Sequence, residues 1–160
     1  MKALILIRHA KSSWETITDD FNRPLNERGK YDAPEMARRL LNEKIVIDSF
    51  ISSPAKRAKK TARLFMDEFQ VSKEEVILIP ELYNAAASVF LNVISNLDKS
   101  NNTVAIFAHN PGISDFANSI TTFKIDDMPT CGVFAIKINT DNWEDFETAE
   151  KEFFFYRNVN

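Results

Sequence analysis

Apolar and polar positions along the chain fall into two alternating patterns. Ala3-Leu4-Ile5-Leu6-Ile7 is an unbroken apolar run of the kind that forms a strand buried on both faces. Ser49-Phe50-Ile51-Ser52, Val76-Ile77-Leu78-Ile79 and Thr103-Val104-Ala105-Ile106-Phe107 read the same way. Between these runs, apolar residues recur at helical spacing. Ala58, Ala62, Phe65, Met66 and Phe69 line one face, Phe90, Leu91, Ile94 and Leu97 a second, and Ile113, Phe116, Ala117 and Ile120 a third. Met36, Ala37, Leu40 and Leu41 mark an earlier helix, which Pro34 should enter in its first turn or kink, with Asp32 and Glu35 as a capping box. After Pro129 come Val133–Ile138, a turn at Asn139–Asn142 and Phe153–Tyr156, an expected edge hairpin. Strands alternating with helices predict an α/β protein. The expected form is a three-layer α/β/α sandwich around a mainly parallel sheet with an antiparallel edge.

Composition narrows this further. A chain of 160 residues, 44% apolar and with 13 Phe, can offset its ordering entropy by burial. Size scaling gives roughly 8,000 Å² of folded surface against about 26,000 Å² unfolded, enough for one core. With no repeat, low-complexity tract or Pro/Gly/Ser-rich linker, residues 1–160 read as a single domain. The net charge of −3 is spread along the chain, which argues against a nucleic-acid partner. One Cys excludes an internal disulfide, and no Cys/His cluster suits structural zinc. The early apolar run is too short for a signal h-region or a membrane span, so the expectation is a cytoplasmic protein with no membrane partner.

Candidate chemistry sits where strands end, since open α/β sheets place their sites beyond the carboxyl ends of the strands. The first strand runs into Arg8-His9, the second into Ser52-Ser53-Pro54 with Arg57 in the following helix, and the fourth into Ala108-His109-Asn110-Pro111-Gly112. Taken singly, each has an ordinary explanation. A lone His after a strand is commonly a loop residue, and Arg57 lies among Lys56, Lys59, Lys60 and Arg63 as a solvated helix charge would. Ser53-Pro54 is good helix-start chemistry anywhere, with Ser as N-cap and Pro at N1. Together they put two His, two Arg and a helix N-terminus on one rim, a collection suited to phosphate or another oxyanion.

These residues resemble a known family. Leu6-Ile7-Arg8-His9-Ala10-Lys11 is similar to the Arg-His-Gly motif of the histidine phosphatase superfamily, whose fold is phosphoglycerate mutase-like. Ser52-Ser53-Pro54-Ala55-Lys56-Arg57-Ala58-Lys59-Lys60-Thr61-Ala62 resembles its Ser-Ser-Pro-x-x-Arg-Ala-x-x-Thr-Ala motif. Pro24-Leu25-Asn26-Glu27-Arg28-Gly29 resembles the linking Pro-Leu-x-x-x-Gly segment, and His109 the second family histidine. The likeness runs from Met1 to about Ile120; the last forty residues add little. Within the superfamily it points to the SixA branch, the phosphohistidine phosphatases. The chain is short, Ala10 replaces the usual Gly in Arg8-His9-Ala10-Lys11-Ser12-Ser13-Trp14, and only 51 residues separate Arg57 from His109. The insertion that covers the pocket in phosphoglycerate mutases is then absent, and an uncovered pocket suits a phosphorylated side chain on a protein.

The resemblance implies His9 as the nucleophile, forming a phosphohistidine intermediate, with Arg8, Arg57 and a protonated His109 clamping the equatorial oxygens without metal or cofactor. His9 neutral and His109 cationic would require pKa values pushed apart and a bell-shaped pH profile. Glu81, in Ile79-Pro80-Glu81-Leu82-Tyr83, is the candidate general acid, although a phosphorylated imidazole leaves more readily than an alkoxide. Arg23 matches a family arginine near the pocket mouth, Ser12 is placed to bond a phosphate oxygen, and Asn110 to orient His109 or start a turn. Trp14 is expected to pack. The implied partner is a phosphohistidine-containing protein; the alternatives are a small phosphate ester or anhydride, and a non-catalytic phosphate-recognition module.

Other phosphate chemistries fit poorly. Cys131 has Lys137 where a Cys-x5-Arg loop needs Arg, no two Asp are spaced for an Asp-x-Asp nucleophile, and Gly29-Lys30 is followed by Tyr31 with Pro24 in place of the first P-loop Gly.

Overall fold

The computed structural model describes residues 1–15 and 17–159. Its six-stranded sheet has the order β3-β2-β4-β1-β5-β6. The strands are β1 (Lys2–Arg8), β2 (Ser49–Ser52), β3 (Ile77–Leu78), β4 (Thr103–Ala108), β5 (Val133–Ile138) and β6 (Lys151–Arg157). β3, β2, β4 and β1 are mutually parallel, and β5 runs antiparallel to both β1 and β6. Four helices, α1 (Glu27–Asn42), α2 (Lys56–Glu68), α3 (Ala87–Ser95) and α4 (Gly112–Ile120), complete three layers. The folded surface, 8085 Å², is close to the size expected from mass.

Strand periodicity sorts the core onto two faces. Leu4 and Leu6 of β1 join Val104, Ile106 and Phe134 beneath α3 and α4. Ile5 and Ile7 join Ala105, Phe107 and Ala135 beneath α1 and α2. Phe107 meets Phe65 of α2 edge to face at 5.2 Å, so truncating it to Ala should cost about 3–5 kcal/mol.

Four local expectations need correction. α1 begins at Glu27, capped by Asn26, whose side chain accepts from Gly29 N at 2.8 Å. Pro34 thus lies inside the helix, where burial of Ala33, Met36, Ala37 and Leu40 outweighs the lost backbone bond. Asp32 forms no capping box: it is buried and both its oxygens lie 2.9 Å from Arg28 Nε. The Val76–Ile79 run shrinks to two residues on the sheet edge, with Ile77 47% exposed, because no helix covers it. α2 starts at Lys56 with Ala55 as its uncapped N-cap, freeing Ser53 for another role. The edge hairpin forms, but its connection carries a 3-10 turn (Trp143–Asp145), and Trp143 and Phe146 reach the α3/α4 core.

Among the described residues no helix is long and apolar enough to cross a membrane. Cys131 is a free, buried thiol.

Candidate active site

β1 and β4 are adjacent and parallel with Arg8 opposite Ala108, so the next residue of each strand leaves the sheet at the same level. Those residues are His9 and His109, 100 positions apart in sequence. His9 N donates to Ala108 O at 3.1 Å, and the two rings stand 5.3 Å apart between centroids, tilted by 51°. Both side chains are buried.

The His9 ring is oriented by its own backbone neighbour. Nδ1 lies 2.7 Å from Ala10 O, an acceptor only, so Nδ1 carries the proton and a neutral ring keeps its lone pair on Nε2. Thr61 on α2 fixes this segment: its hydroxyl accepts Ala10 N–H at 2.9 Å and donates to Arg57 O at 2.8 Å. His109 Nε2 pairs with Ser53 Oγ at 2.8 Å, and His109 Nδ1 is buried without a partner among the described residues. Ser53 also accepts Ala55 N–H at 3.2 Å, so the Ser-Ser-Pro segment holds a ring rather than capping a helix.

Three arginines surround the rings. Arg8 Nη1 donates to Met128 O at 2.9 Å. Arg57 donates through Nη1 to Asp20 O at 2.7 Å and through Nη2 to Asp20 Oδ2 at 3.1 Å. Arg23 Nη2 reaches Asp20 Oδ1 at 3.2 Å, its Nη1 bonds Ser12 Oγ, and its guanidinium lies 3.8 Å from the Trp14 ring centroid. Trp14, 80% exposed, therefore does not pack in the core; its flat face covers a guanidinium that would otherwise be solvated. Tyr83 Oη donates to Asp20 Oδ2 at 2.7 Å, and its ring meets His109 edge-on at 5.7 Å.

The electrostatics differ from the expected pair of opposite histidines. Burial, reinforced by His109, Arg57 and Arg8, pushes His9 down to about 3. Burial and then Arg57 push His109 down to about 4. Both rings are therefore neutral at ordinary pH, because desolvation and the same cations act on both. The hydrogen bond from Tyr83, followed by those from Arg23 and Arg57, holds Asp20 down at about 2, so it is an ionised acceptor.

The structure thus brings Arg8, His9, Ser12, Arg23, Arg57 and His109 to one rim. Asn110 lies beside them but does not bond His109: Nδ2 donates to Met128 O at 2.9 Å, and Oδ1 accepts from Ser114 Oγ at 2.6 Å. Glu81 is exposed in the 3-10 turn Pro80–Leu82, and no hydrogen bond or ion pair joins it to the cluster among the described residues; Tyr83, two residues on, is what reaches the rim. Asp20, Ser53, Thr61, Tyr83 and Met128 also join the site: Thr61 and Ser53 lie within the Ser-Ser-Pro-x-x-Arg-Ala-x-x-Thr-Ala-like segment, whereas Asp20, Tyr83 and Met128 carry no local signal in the sequence. The segment after Ile120 also has a task. Met128 O takes both Arg8 and Asn110, Gly132 O accepts Arg8 N–H at 3.1 Å, and Cys131 N–H bonds Arg8 O and His9 O at 3.1 and 3.0 Å.

Such a rim can bind a tetrahedral oxyanion through guanidinium groups while presenting a neutral imidazole nitrogen to its central atom. Among the described residues no group of three or more His, Cys, Asp or Glu is arranged to hold a metal ion. The sequence pattern of the histidine phosphatase superfamily (branch 1) matches residues 4–86. An uncharacterised chloroplastic protein of Arabidopsis thaliana is 28% identical over 153 residues, spanning 90% of this chain and 70% of that protein. A solved structure assigned as the phosphohistidine phosphatase SixA of Agrobacterium tumefaciens superposes with a TM-score of 0.83 at 22% identity, covering 98% of this chain and 97% of that one. The protein histidine phosphatase SixA complexed with tungstate gives 0.82 at 18% identity, covering 96% and 95%. A mycobacterial glucosyl-3-phosphoglycerate phosphatase gives 0.68 at 11%, covering 96% and 97%. These likenesses establish a shared fold.

Proposed function

Since the chain belongs to the histidine phosphatase superfamily, branch 1, and is a phosphatase, we propose that it is of the SixA type and hydrolyses phosphohistidine on a protein partner through an intermediate on His9. The observation that carries the reading is the 2.7 Å contact of His9 Nδ1 with Ala10 O, which leaves Nε2 as the free lone pair beside the arginine rim. In the first step Nε2 attacks phosphorus in line. The P–N bond to the partner's imidazole breaks, its electron pair stays on that nitrogen, and solvent supplies the proton. In the second step water attacks the phosphorylated His9, its P–N bond breaks, the pair returns to Nε2, and inorganic phosphate is released with the water proton.

Phosphoryl transfer spreads charge over three equatorial oxygens, so positioning and fixed positive charge do most of the work. Arg8, Arg57 and Arg23 supply that charge, and this reading needs neither metal nor cofactor. An arriving phosphoryl group also brings the anion that favours protonation of His109, turning a neutral ring into a further donor. Arg57 and Arg23 meet the substrate by sharing or leaving the Asp20 carboxylate. Support for a protein-borne substrate comes from the short Arg57-to-His109 connection and from the likeness to two SixA structures. The setting in this reading is cytoplasmic, where a lone reduced thiol such as Cys131 is ordinary.

The test is phosphate release from a phosphohistidine-bearing protein in EDTA, comparing wild type with His9→Ala beside a para-nitrophenyl phosphate control. Release by the wild type alone, faster than from the ester, is the expected result. Ester turnover without phosphohistidine turnover would move the substrate class to small phosphates, and binding without release of either would point to a recognition module.

A further inference from the structure

Beside the catalytic rim runs a groove of about 700 Å³ that the chemistry above does not use. Its walls carry Lys30, Lys56, Lys59, Lys60, Arg63 and Lys73, and among the described residues no carboxylate lines it. This is a concentrated positive field on a chain whose net charge is −3, so the rest of the surface is more acidic than the whole. Helical spacing produces the wall. Lys56, Lys59, Lys60 and Arg63 fall at i, i+3, i+4 and i+7 of α2, opposite the buried stripe Ala58, Thr61, Ala62 and Phe65. Two of the six cations have local counter-ions, Lys30 with Glu27 at 3.6 Å and Lys73 with Asp67 at 3.4 Å. Lys56, Lys59, Lys60 and Arg63 have none within 4.0 Å among the described residues, and Arg63 Nε is buried without a hydrogen-bond partner. Glu74 accepts a hydrogen bond from Ser72, which together with longer-range attraction to Arg63 and Lys73 holds its carboxyl below the ordinary value.

The groove is continuous with the rim. Phe21, Pro24 and Pro54 line it, and they follow Asp20, Arg23 and Ser53 directly in sequence; Lys56 precedes Arg57. With Leu25 these residues give an apolar floor beneath charged walls. Lys56, Lys59 and Lys60, with an Arg63 that Glu74 offsets only at longer range, repel one another and cost stability unless an anion visits. Lys56 to Arg63 spans about 10 Å along the helix axis, the reach of about three extended residues. That length, together with an apolar floor, suits a short acidic stretch of polypeptide better than a point anion.

We propose that this groove is the docking surface for an acidic polypeptide segment flanking the phosphorylated residue of the partner. The proposal rests on the protein-phosphohistidine reading, and it supplies what the rim lacks: discrimination among phosphorylated side chains by the sequence beside them. Docking lowers KM for acidic partners and makes it rise with ionic strength, since the walls are exposed enough to be screened.

The test uses two synthetic phosphohistidine peptides, one with a run of Glu beside the phosphoresidue and one with Gln in those places. For the wild type, kcat/KM should favour the acidic peptide about tenfold at low salt, and in the double variants K56E/K60E and K59E/R63E the ratio should fall to about one. A parallel arm needs no turnover. The fluorescein-labelled acidic peptide without phosphate is titrated with each protein and followed by anisotropy, binding the wild type and losing affinity about tenfold in the variants. Thermal melts should show K56E/K60E at least as stable as the wild type, because charge reversal there relieves repulsion. No phosphohistidine turnover with retained acidic-peptide binding would overturn the substrate reading and leave the docking surface standing. Equal binding of Glu and Gln peptides, acidic-peptide binding untouched by charge reversal, or failure of the wild type to bind the acidic peptide would overturn the docking surface.

Discussion

His9 and His109 face each other with ring centroids 5.3 Å apart, and burial, reinforced by the guanidinium of Arg57, depresses the pKa of both. Their environments therefore act in the same direction. Each folded-state value, about 3 and about 4, lies below the ordinary imidazole value of 6.5. In the unfolded chain both rings take up protons as pH falls through 6.5, while in the folded protein they stay neutral until about 4 and about 3. The unfolded state then binds more protons, so the contribution to stability is whole above pH 6.5 and lost as pH drops toward 4. Melting temperatures measured from pH 8 to pH 4 should fall across that window, and less steeply in His109→Gln. A flat profile would contradict the burial of neutral rings.

The same shift reaches the kinetics. The acid limb of kcat/KM, which reports the free enzyme, should lie well below pH 6.5, because His9 Nε2 is already unprotonated there. A profile with its acid limb at the ordinary imidazole value would place the nucleophile in a wetter setting than this one.

In the proposed reading Asp20 competes with the substrate for the arginines. Its carboxylate meets Arg57 at 3.1 Å and Arg23 at 3.2 Å, as a phosphoryl oxygen would. Removing the charge in Asp20→Asn should strengthen inhibition by tungstate or inorganic phosphate about five- to tenfold, on the order of 1 kcal/mol. Weaker inhibition would mean that Asp20 serves chiefly to hold the arginines in place.

Thr61 ties the two motifs together by accepting Ala10 N–H and donating to Arg57 O, and it is fully buried. Thr61→Val keeps the shape and leaves the Ala10 N–H unsatisfied, which should cost about 1–3 kcal/mol. Thr61→Ser should retain most of the stability and turnover. Urea unfolding of the three proteins separates these outcomes, and equal midpoints for Val and Thr would remove Thr61 from the account.

Glu81 stands exposed with no bond to the cluster. Glu81→Gln should leave phosphohistidine release within about twofold of wild type, since a phosphorylated imidazole needs little help in leaving. The larger loss is expected on a phosphate ester, and equal losses on both substrates would end its candidacy as an acid.

Much of the site was legible because its residues carry their chemistry in their type and their place at strand ends. His9 and His109 follow apolar runs, and parallel strands end on the same side of a sheet, so convergence at one rim followed from topology alone. The roles of Asp20, Tyr83 and Met128 were not legible, because each depends on a tertiary contact that no local spacing encodes. Tyr83 finds Asp20 across 63 positions and Arg8 finds Met128 O across 120. At Pro34 and Val76–Ile79 local propensity and packing disagree, and packing decides both: a buried helix face carries the proline, and an uncovered edge shortens the strand. The likeness to known motifs fades after Ile120, yet the sheet places β5 directly beside β1 and hangs Arg8 from it.

The β1–β4 register also bears on how the protein is made. β1 must wait for a partner strand about a hundred residues later, and the next to arrive, β5, flanks it on the other side. Such distant pairing closes a long loop before it returns any contact energy, so the sheet centre forms late and slowly. During synthesis the β1 apolar run is therefore held without its neighbours while the roughly hundred residues up to β4 emerge. The histidine pair comes into being in the same event that completes the sheet, and in the proposed reading activity is accordingly a reporter of finished folding.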